Sequence, residues 1–336
     1  MTPALHPPRY TLEQMLLHLG MAEMRRKHPG WIWNRSDVHV ILGVPGSEEG
    51  MKTIVEPGNS FSPGHRTYGV SAWVRVDGQL HTPEQKTLGE LAWSLHDGSI
   101  PVLKSTWNAG AIRVVSELFT DGDPEFGDIK THFTVRLENP SDVEKDFDFY
   151  LAIRSFGAAG GPIEKLWMKD QHVHINGGGP AMFAVEAPTR FGAVSYETDS
   201  DDISVMLQHK KFPGQIQVED ESSWASGALE YRLQLSPGES RSLEFICHVN
   251  AENWVAFNGA APVKNEPAGA ARRDAFVKKW QAQQSIKLSL PDRRFTDAFQ
   301  CQLTHLAMFT VDCEPRISPI SYPLWWLRDG SYVLNA

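Results

Sequence analysis

The sequence predicts a mainly β protein, a large antiparallel sandwich of two packed sheets. Between about residues 36 and 255, apolar and polar residues alternate with a period of two over many short stretches. Gly, Pro, Asn and Asp turns separate these stretches, a pattern typical of half-buried strands in antiparallel sheets. Few windows of helical periodicity interrupt it. We therefore expect two sheets that bury one common core.

The alternation is clearest in residues 129–137 and 147–153. In the first stretch Phe133 and Val135 share one face, and His132 and Thr134 share the other. Because successive side chains of a strand point to opposite faces, each stretch predicts one strand with a buried and a polar side. Further strands are predicted at 68–76, 112–119, 181–186, 191–196, 203–208, 229–235 and 243–249.

Helical periodicity is confined to the two ends of the chain. Residues 11–26 carry apolar side chains at helical spacing, with Thr11 as a candidate N-cap. After residue 255, an Ala-, Pro- and Gly-rich linker (260–270) precedes a predicted helix at 271–284 and a short strand at 286–290. A second helix is expected from Asp292, its N-cap, with an apolar stripe formed by Phe295, Phe299, Leu303, Leu306 and Phe309.

Composition and charge exclude several classes of partner. The 336 residues carry 41% apolar side chains and a net charge of −9, with 32 basic and 41 acidic residues. Nucleic-acid binding requires clustered cations, so we expect no nucleic-acid partner. No apolar stretch approaches the roughly 20 residues of a membrane span, and no secretory leader is visible. Three cysteines without CxxC spacing favour a reducing compartment, and the predicted location is the cytoplasm.

Several short motifs are interpreted as structural. His172 and His174 form a possible metal half-site, but no third ligand is evident and solvent exposure is the preferred interpretation. Residues 121–125 lack the residues of a calcium loop and predict an acidic turn. Gly177–Gly179 predicts a hairpin loop, and the cysteines show no Cys–His arrangement. The sequence therefore predicts neither a metal nor a cofactor.

The 11 Trp residues are numerous and serve either a large core or a sugar-binding surface. The segment 322–336 contains the candidate site for such a surface. Trp325 and Trp326 provide flat apolar faces for a pyranose ring. Arg328 offers a planar fork of donors, and the carboxylate of Asp329 accepts hydrogen bonds from hydroxyl groups.

The same segment is compatible with a structural role. In that alternative Asp329 is the N-cap of a helix that begins at Ser331, and the Trp side chains belong to the core. Spacing alone leaves both interpretations open, because short motifs are weak.

A family resemblance favours the sugar site. Trp-Leu-Arg-Asp-Gly-Ser-Tyr, at 326–332, preceded by Tyr-Pro and followed by Val-Leu-Asn-Ala, resembles the start of the (α/α)6 barrel in glucoamylase-like, six-hairpin glycosidases. Residues 61–73 resemble the opening strands of the sandwich in these enzymes. The resemblance implies that Arg328 and Asp329 hold hydroxyls of the sugar in subsite −1, with Trp326 as a wall of the site.

The resemblance also implies a domain order. Residues 1–260 are expected to form the N-terminal sandwich with its leading helix, 261–313 a linker with helices, and 314–336 the beginning of a truncated (α/α)6 barrel. The chain stops without a helix-terminating residue, so we expect a fragment. In this group the two catalytic carboxyl groups lie deeper in the barrel, and no catalytic residue is assigned in this chain. Glu314 is interpreted as a linker charge.

The resulting hypothesis is the N-terminal part of a glycoside hydrolase that acts on α-glucosides or related oligosaccharides. The oligosaccharide substrate is the expected partner, and the isolated fragment is expected to be inactive. Two alternatives stay open. One is a sugar phosphorylase of the same architecture, and the other is a non-catalytic carbohydrate-binding sandwich.

Overall fold

A computed structural model describes residues 21–35, 38–125, 127–158, 160–177, 179–249, 269–284, 286, 288–311, 314–316 and 318. The predicted domain boundaries at 260 and 313 lie outside these residues and stay predictions, as does the helix predicted at 11–26 over its first ten residues. Residues 21–27 of that helix are helical.

Antiparallel strands dominate the described residues. In chain order they are β1 (Val40–Leu42), β2 (Thr53–Glu56), β3 (Ser60–Ser62), β4 (Gly69–Val76), β5 (Gln79–His81), β6 (Ala92–His96), β7 (Ile100–Ala109), β8 (Ile112–Asp123), β9 (Asp128–Glu138), β10 (Lys145–Arg154), β11 (Lys165–Lys169), β12 (His172–Ile175), β13 (Pro180–Ala184), β14 (Arg190–Val194), β15 (Gln217–Glu219), β16 (Ser226–Leu235), β17 (Ser240–His248), β18 (Thr310–Val311) and β19 (Glu314–Pro315).

These strands form two large sheets and one small one. Sheet A has the order β1-β2-β3-β4-β10-β16-β14, and β5 pairs with the free part of the β4 edge. Sheet B has the order β15-β11-β12-β13-β17-β9-β8-β7-β6, and β18 pairs with β19 alone. The predicted mainly β, two-sheet antiparallel sandwich is confirmed.

The main core lies between the sheets. Alternate residues of each strand point inward, for example Val70, Ala72 and Val74 of β4, which are at most 2% exposed. Across the interface Phe61 of sheet A meets Phe133 of sheet B edge to face, with ring centroids 5.1 Å apart. Apolar burial on this scale is the main stabilising contribution to such a fold.

Besides the helical residues 21–27, four α-helices of the described part of the chain lie outside the sheets: α1 (Tyr196–Asp199), α2 (Ile203–Gln208), α3 (Gly269–Gln283) and α4 (Arg293–Met308). On the outer face of sheet A, Ile203 and Leu207 of α2 pack against Tyr150. On the outer face of sheet B, α3 and α4 bury Phe276 and Met308 against β7 and β8. Among the described helices, none is long and apolar enough to cross a membrane.

Two predicted strands are wrong. Residues 203–208 form α2, because the Asp202 side chain accepts a hydrogen bond from the backbone N of Ser204 and caps a helix. The buried residues of α2 are Ile203, Ser204 and Leu207, which is helical rather than alternating spacing. Residues 286 and 288–290 are not in a strand, and Ile286 is 58% exposed. A segment with an alternating pattern forms a strand only where its backbone can pair with a neighbouring strand.

Both predicted helices after residue 270 are confirmed, and Asp292 caps α4 by accepting from the backbone N of Arg294. The predicted apolar stripe, however, is not its buried side. The buried residues of α4 are Gln300, Thr304 and Met308, whereas Phe295 is 64% exposed. The face of α4 that packs on the sandwich is therefore the one next to the predicted apolar stripe.

Candidate functional site

The predicted site residues Trp326, Arg328 and Asp329 lie outside the described residues. The structure does describe the end of the sandwich from which the chain continues toward them. There the loop 43–52 meets residues 308–318, and the backbone N of Gly46 donates to the carbonyl O of Thr310 at 2.9 Å. Residues 43–52 and the described residues 308–311, 314–316 and 318 are called the junction below.

A buried lysine lies at the centre of the junction. Lys52 is 2% exposed, and its Nζ donates to Ser47 Oγ at 2.8 Å and to the carbonyl O of Met308 at 2.6 Å. Burial lowers the pKa of Lys52 to about 8, opposed by the nearby Glu48 carboxylate. The lysine stem also packs on Gly43, where a Cβ atom would come within 2.6 Å of it. A lysine at this position is therefore part of the packing as well as a donor.

A histidine–carboxylate pair lies beside this lysine. His65 Nδ1 is 3.2 Å from Glu49 Oε1, and the backbone N of His65 donates to the carbonyl O of Gly50. Glu49 is 9% exposed. The pair ties the β3–β4 loop to the loop before Lys52, so that both loops form one surface at the end of the sandwich.

Glycines allow the β3–β4 loop to approach the loop after β10. A Cβ atom on Gly161 would lie 2.4 Å from the carbonyl O of Arg66, and one on Gly69 would lie 2.6 Å from Gly157 Cα. Real Cβ contacts are not this short, so any larger residue would displace backbone. The glycines fix how closely these two loops pack.

The junction also contains a small cleft lined in part by Glu48, Glu49, Lys52 and Arg316. Carboxylates and cations of this kind form charge-assisted hydrogen bonds with hydroxyl groups. Glu314 is 59% exposed and pairs with Arg316 at 3.3 Å, which agrees with its interpretation as a linker charge.

Aromatic rings cluster near the same end of the sandwich. Trp31 stacks on His28 and on Trp33, with centroid distances of 4.4 and 5.5 Å, and Phe156 packs against Trp33 at 4.4 Å. Trp31 is 5% exposed and Trp33 is half-buried. Most described Trp residues belong to the core: Trp31, Trp73, Trp107, Trp224 and Trp280 are buried, and Trp33, Trp93 and Trp167 are half-buried.

Sequence reasoning missed a buried ionic cluster on the outer face of sheet A. Arg154 is 3% exposed and lies 3.7 Å from both Glu84 and Asp202. Its guanidinium also lies over the rings of Trp73 and Phe156, at 4.8 and 4.5 Å. Burial lowers the pKa of Arg154 and the nearby carboxylates oppose this. An alternating strand places Arg154 on the polar face, and the sequence does not show that other segments cover that face.

The two strand histidines are packed rather than solvent-exposed. His174 stacks on Trp167 at 4.9 Å, and His172 stacks on Phe183 at 4.8 Å. Both histidines are half-buried, so the preferred interpretation of solvent exposure is wrong. Within the described ranges no group of three or more His, Cys, Asp or Glu side chains is suited to a metal ion.

The hairpin loop is confirmed, and the acidic turn is confirmed in part, because the turn begins at residue 124 and residues 121–123 belong to β8. Asp121 is in β8 and pairs with Lys279 at 2.8 Å, and the backbone N of Glu125 donates to Asp123 in the turn that follows. Gly177 and Gly179 lie between the paired strands β12 and β13.

The expectation of no Cys–His arrangement is wrong for one residue pair. One turn of α4 brings Cys301 Sγ within 3.9 Å of His305 Nε2. Burial raises the pKa of the Cys301 thiol and lowers that of His305, which favours two neutral groups over a thiolate–imidazolium pair. Cys247 is fully buried in the core, and burial raises its pKa as well. Neither thiol is in a reactive environment.

Comparison with known proteins shows the fold. No family model matches the sequence, and no curated protein matches it. A bacterial glucoamylase solved in complex with acarbose has a TM-score of 0.53 and 10% identity, over 82% of this chain and 41% of that chain. The chain thus spans less than half the length of that glucoamylase. The glucoamylase-like sandwich is confirmed as the fold of this chain.

Two further structures match at lower similarity. One is named as a kojibiose phosphorylase from the human microbiome, with a TM-score of 0.32 and 10% identity over 80% of this chain and 31% of that one. The other is a polysaccharide lyase, with a TM-score of 0.32 and 11% identity over 64% of this chain and 33% of that one. Neither is similar enough for an argument about function.

Proposed function

We propose that this chain is the N-terminal part of a glycoside hydrolase that acts on α-linked glucosides or related oligosaccharides. The observation that supports it is the fold shared with a bacterial glucoamylase over 82% of the chain, in a protein whose residues 326–332 resemble the barrel start of such enzymes. In this proposal Arg328 and Asp329 hold adjacent hydroxyls of one hexose, and the Trp326 indole covers its C–H face.

The contacts at the junction support this proposal. Lys52 and Gly46 bind the backbone of Met308 and Thr310, and Arg328 follows only ten residues after Ser318. The loops 43–52 and 63–68 are joined by the His65–Glu49 pair. We infer that these two loops form part of the substrate cleft.

The proposed reaction is hydrolysis through an oxocarbenium-like transition state. It needs two carboxyl groups, one as proton donor to the leaving oxygen and one to activate water or attack carbon. We assign neither to this chain. We therefore expect it to bind oligosaccharides without turnover, and we propose a cytoplasmic location for it.

The test is oligosaccharide binding measured by isothermal titration calorimetry with acarbose and maltoheptaose. Asp329→Asn and Arg328→Ala each remove a charge-assisted hydrogen bond worth about 1.5–3 kcal/mol, so affinity should fall roughly 10- to 100-fold. Trp326→Ala should weaken binding by roughly tenfold. Glu219→Gln is the control, since Glu219 is 61% exposed and pairs with the exposed Lys165 on sheet B.

Equal affinity of all four variants for the oligosaccharides would contradict the proposed site. Release of glucose by the purified chain would contradict the assignment of catalysis to residues outside it. Release of glucose phosphate in phosphate buffer would instead favour the phosphorylase alternative.

A further inference from the structure

A second cleft lies between the first turn of α3 and the outer face of sheet B. Its volume is about 470 Å³, within the range of sites that bind small molecules. The floor comes from four adjacent strands, β7, β8, β9 and β17, and Gly269, Ala270 and Arg273 of α3 form one wall. We propose that this cleft is an oligosaccharide-binding site built from residues other than 326–329.

A row of polar side chains crosses the floor. Lys104 pairs in register with Glu117, Glu117 with Thr134, and Thr134 with Glu244. Neighbouring strands are about 4.8 Å apart, so the row is roughly 14 Å long. A row of this length contacts several rings of a linear saccharide rather than one.

Both carboxylates in the row are held in place. Arg273 Nη1 donates to Glu117 Oε2 at 2.9 Å, and the backbone N of Gly269 donates to the two oxygens of Glu244 at 3.1 Å each. An ionised carboxylate has about four acceptor positions, so each keeps capacity for a ligand hydroxyl. Because the positions are fixed before binding, little side-chain entropy is lost when a ligand arrives.

Donors and apolar surface complete the lining. Lys104 and Arg136 are exposed on the rim, and the Thr134 hydroxyl is half-buried between the two carboxylates. Val115 and Phe119 lie on the floor and are 7% and 4% exposed. The cleft thus has donors, acceptors and a small apolar surface, which match the hydroxyl groups and the C–H faces of a sugar.

Other ligand classes fit less well. The four floor strands all lie inside sheet B, so their backbone groups pair with neighbouring strands and a peptide has no edge to extend. An apolar ligand would cover Glu117, Glu244 and Lys104 without replacing their water contacts. The net charge of −9 disfavours nucleic acid. A hydroxyl-rich ligand remains, and the proposed function is used only to choose glucose oligosaccharides as the probe.

The experiment measures maltoheptaose binding by calorimetry in the Asp329→Asn background, where the first proposed site is weakened. Ser242→Trp places an indole in the cleft from an exposed strand position and should lower the remaining affinity at least tenfold. Lys104→Ala should lower it three- to tenfold. Lys165→Ala is the matched control, because Lys165 is an exposed lysine on a distant strand of the same sheet.

The outcomes separate the two proposals. Unchanged affinity in Ser242→Trp and Lys104→Ala overturns the cleft site, whatever Asp329→Asn does. Loss of all binding in Asp329→Asn alone also overturns it and leaves the proposed function standing. Loss in the cleft variants, with no effect of Asp329→Asn, supports the cleft and contradicts the proposed sugar-binding role of Asp329. Thermal melts of each variant exclude unfolding as the cause.

Discussion

Lys52 Nζ donates a 2.6 Å hydrogen bond to the carbonyl O of Met308, the last residue of α4. The last carbonyls of a helix have no partner within the helix and carry partial negative charge, so a cation is favourable there. Lys52 immediately precedes β2 of sheet A. One buried side chain thus connects the first part of the sandwich to the helix that leads out of it.

Lys52→Met should lower the free energy of unfolding at pH 7 by about 1–3 kcal/mol. Methionine keeps most of the volume but leaves the Met308 carbonyl and the Ser47 hydroxyl without their donor. Urea unfolding followed by tryptophan fluorescence measures the change. Lys165→Met is the control, since Lys165 is half-exposed in a surface pair and should lose at most about 1 kcal/mol. An equal loss of stability in both variants would contradict the stabilising role of the hydrogen bond from Lys52 to the Met308 carbonyl.

Asp202→Ala should lower the free energy of unfolding by about 3 kcal/mol, and Asp292→Ala should lower it by about 1 kcal/mol. Both aspartates are helix N-caps, which are worth about 1 kcal/mol each. Asp202 is also fully buried beside Arg154, and removal of one partner from a buried pair leaves the other charge poorly compensated. Chemical denaturation of the two variants side by side checks the difference. If they lose equal stability, the Arg154 cluster adds nothing beyond the cap.

Stability should fall as the pH is lowered from about 6.5 toward 4. Burial lowers the pKa of His248 to about 4, and burial with the adjacent Arg272 lowers that of His132 well below its ordinary value. The unfolded chain therefore binds protons in this pH range that the folded chain does not. His248 alone should lower the free energy of unfolding by about 3 kcal/mol at pH 4. Urea midpoints between pH 7 and pH 4 measure it.

In the His248→Gln variant, the free energy of unfolding should depend less steeply on pH. The slope between pH 6.5 and pH 4 should correspond to the uptake of about one proton fewer on unfolding. His132→Gln should behave in the same way, although it also loses the 2.8 Å contact between His132 Nδ1 and Arg272. A pH slope in both variants as steep as in the parent would show that other groups are responsible.

The sequence predicts best those strands that have one polar side. Both β9 and β10 alternate because water or charged residues meet one face, and both are confirmed. Residues of β2 and β3 are buried on both faces and show no alternation, so periodicity predicts neither strand, and only the family resemblance of residues 61–73 reaches into β3. In α2 only six residues carry the pattern, which is too short to separate a period of 2 from one of 3.6.

The site is less predictable than the fold for a different reason. Lysine and arginine are rarely buried, so the sequence offers no reason to place Lys52 or Arg154 inside. Their burial depends on loops and helices that are distant in sequence, such as Met308 for Lys52 and Asp202 for Arg154. Short motifs identify candidate residues, whereas only the tertiary contacts show which charged side chains are buried.

The position of β17 has a consequence for how the chain is made. Among the described strands of the two large sheets this strand is the last to be synthesised, yet it lies between β13 and β9 in the middle of sheet B. Until it leaves the ribosome, two groups of four strands have no strand between them, and long-range pairing of this kind is slow. A nascent chain that stops before Ser240 therefore exposes two unpaired edges, where other copies can add strands and aggregate.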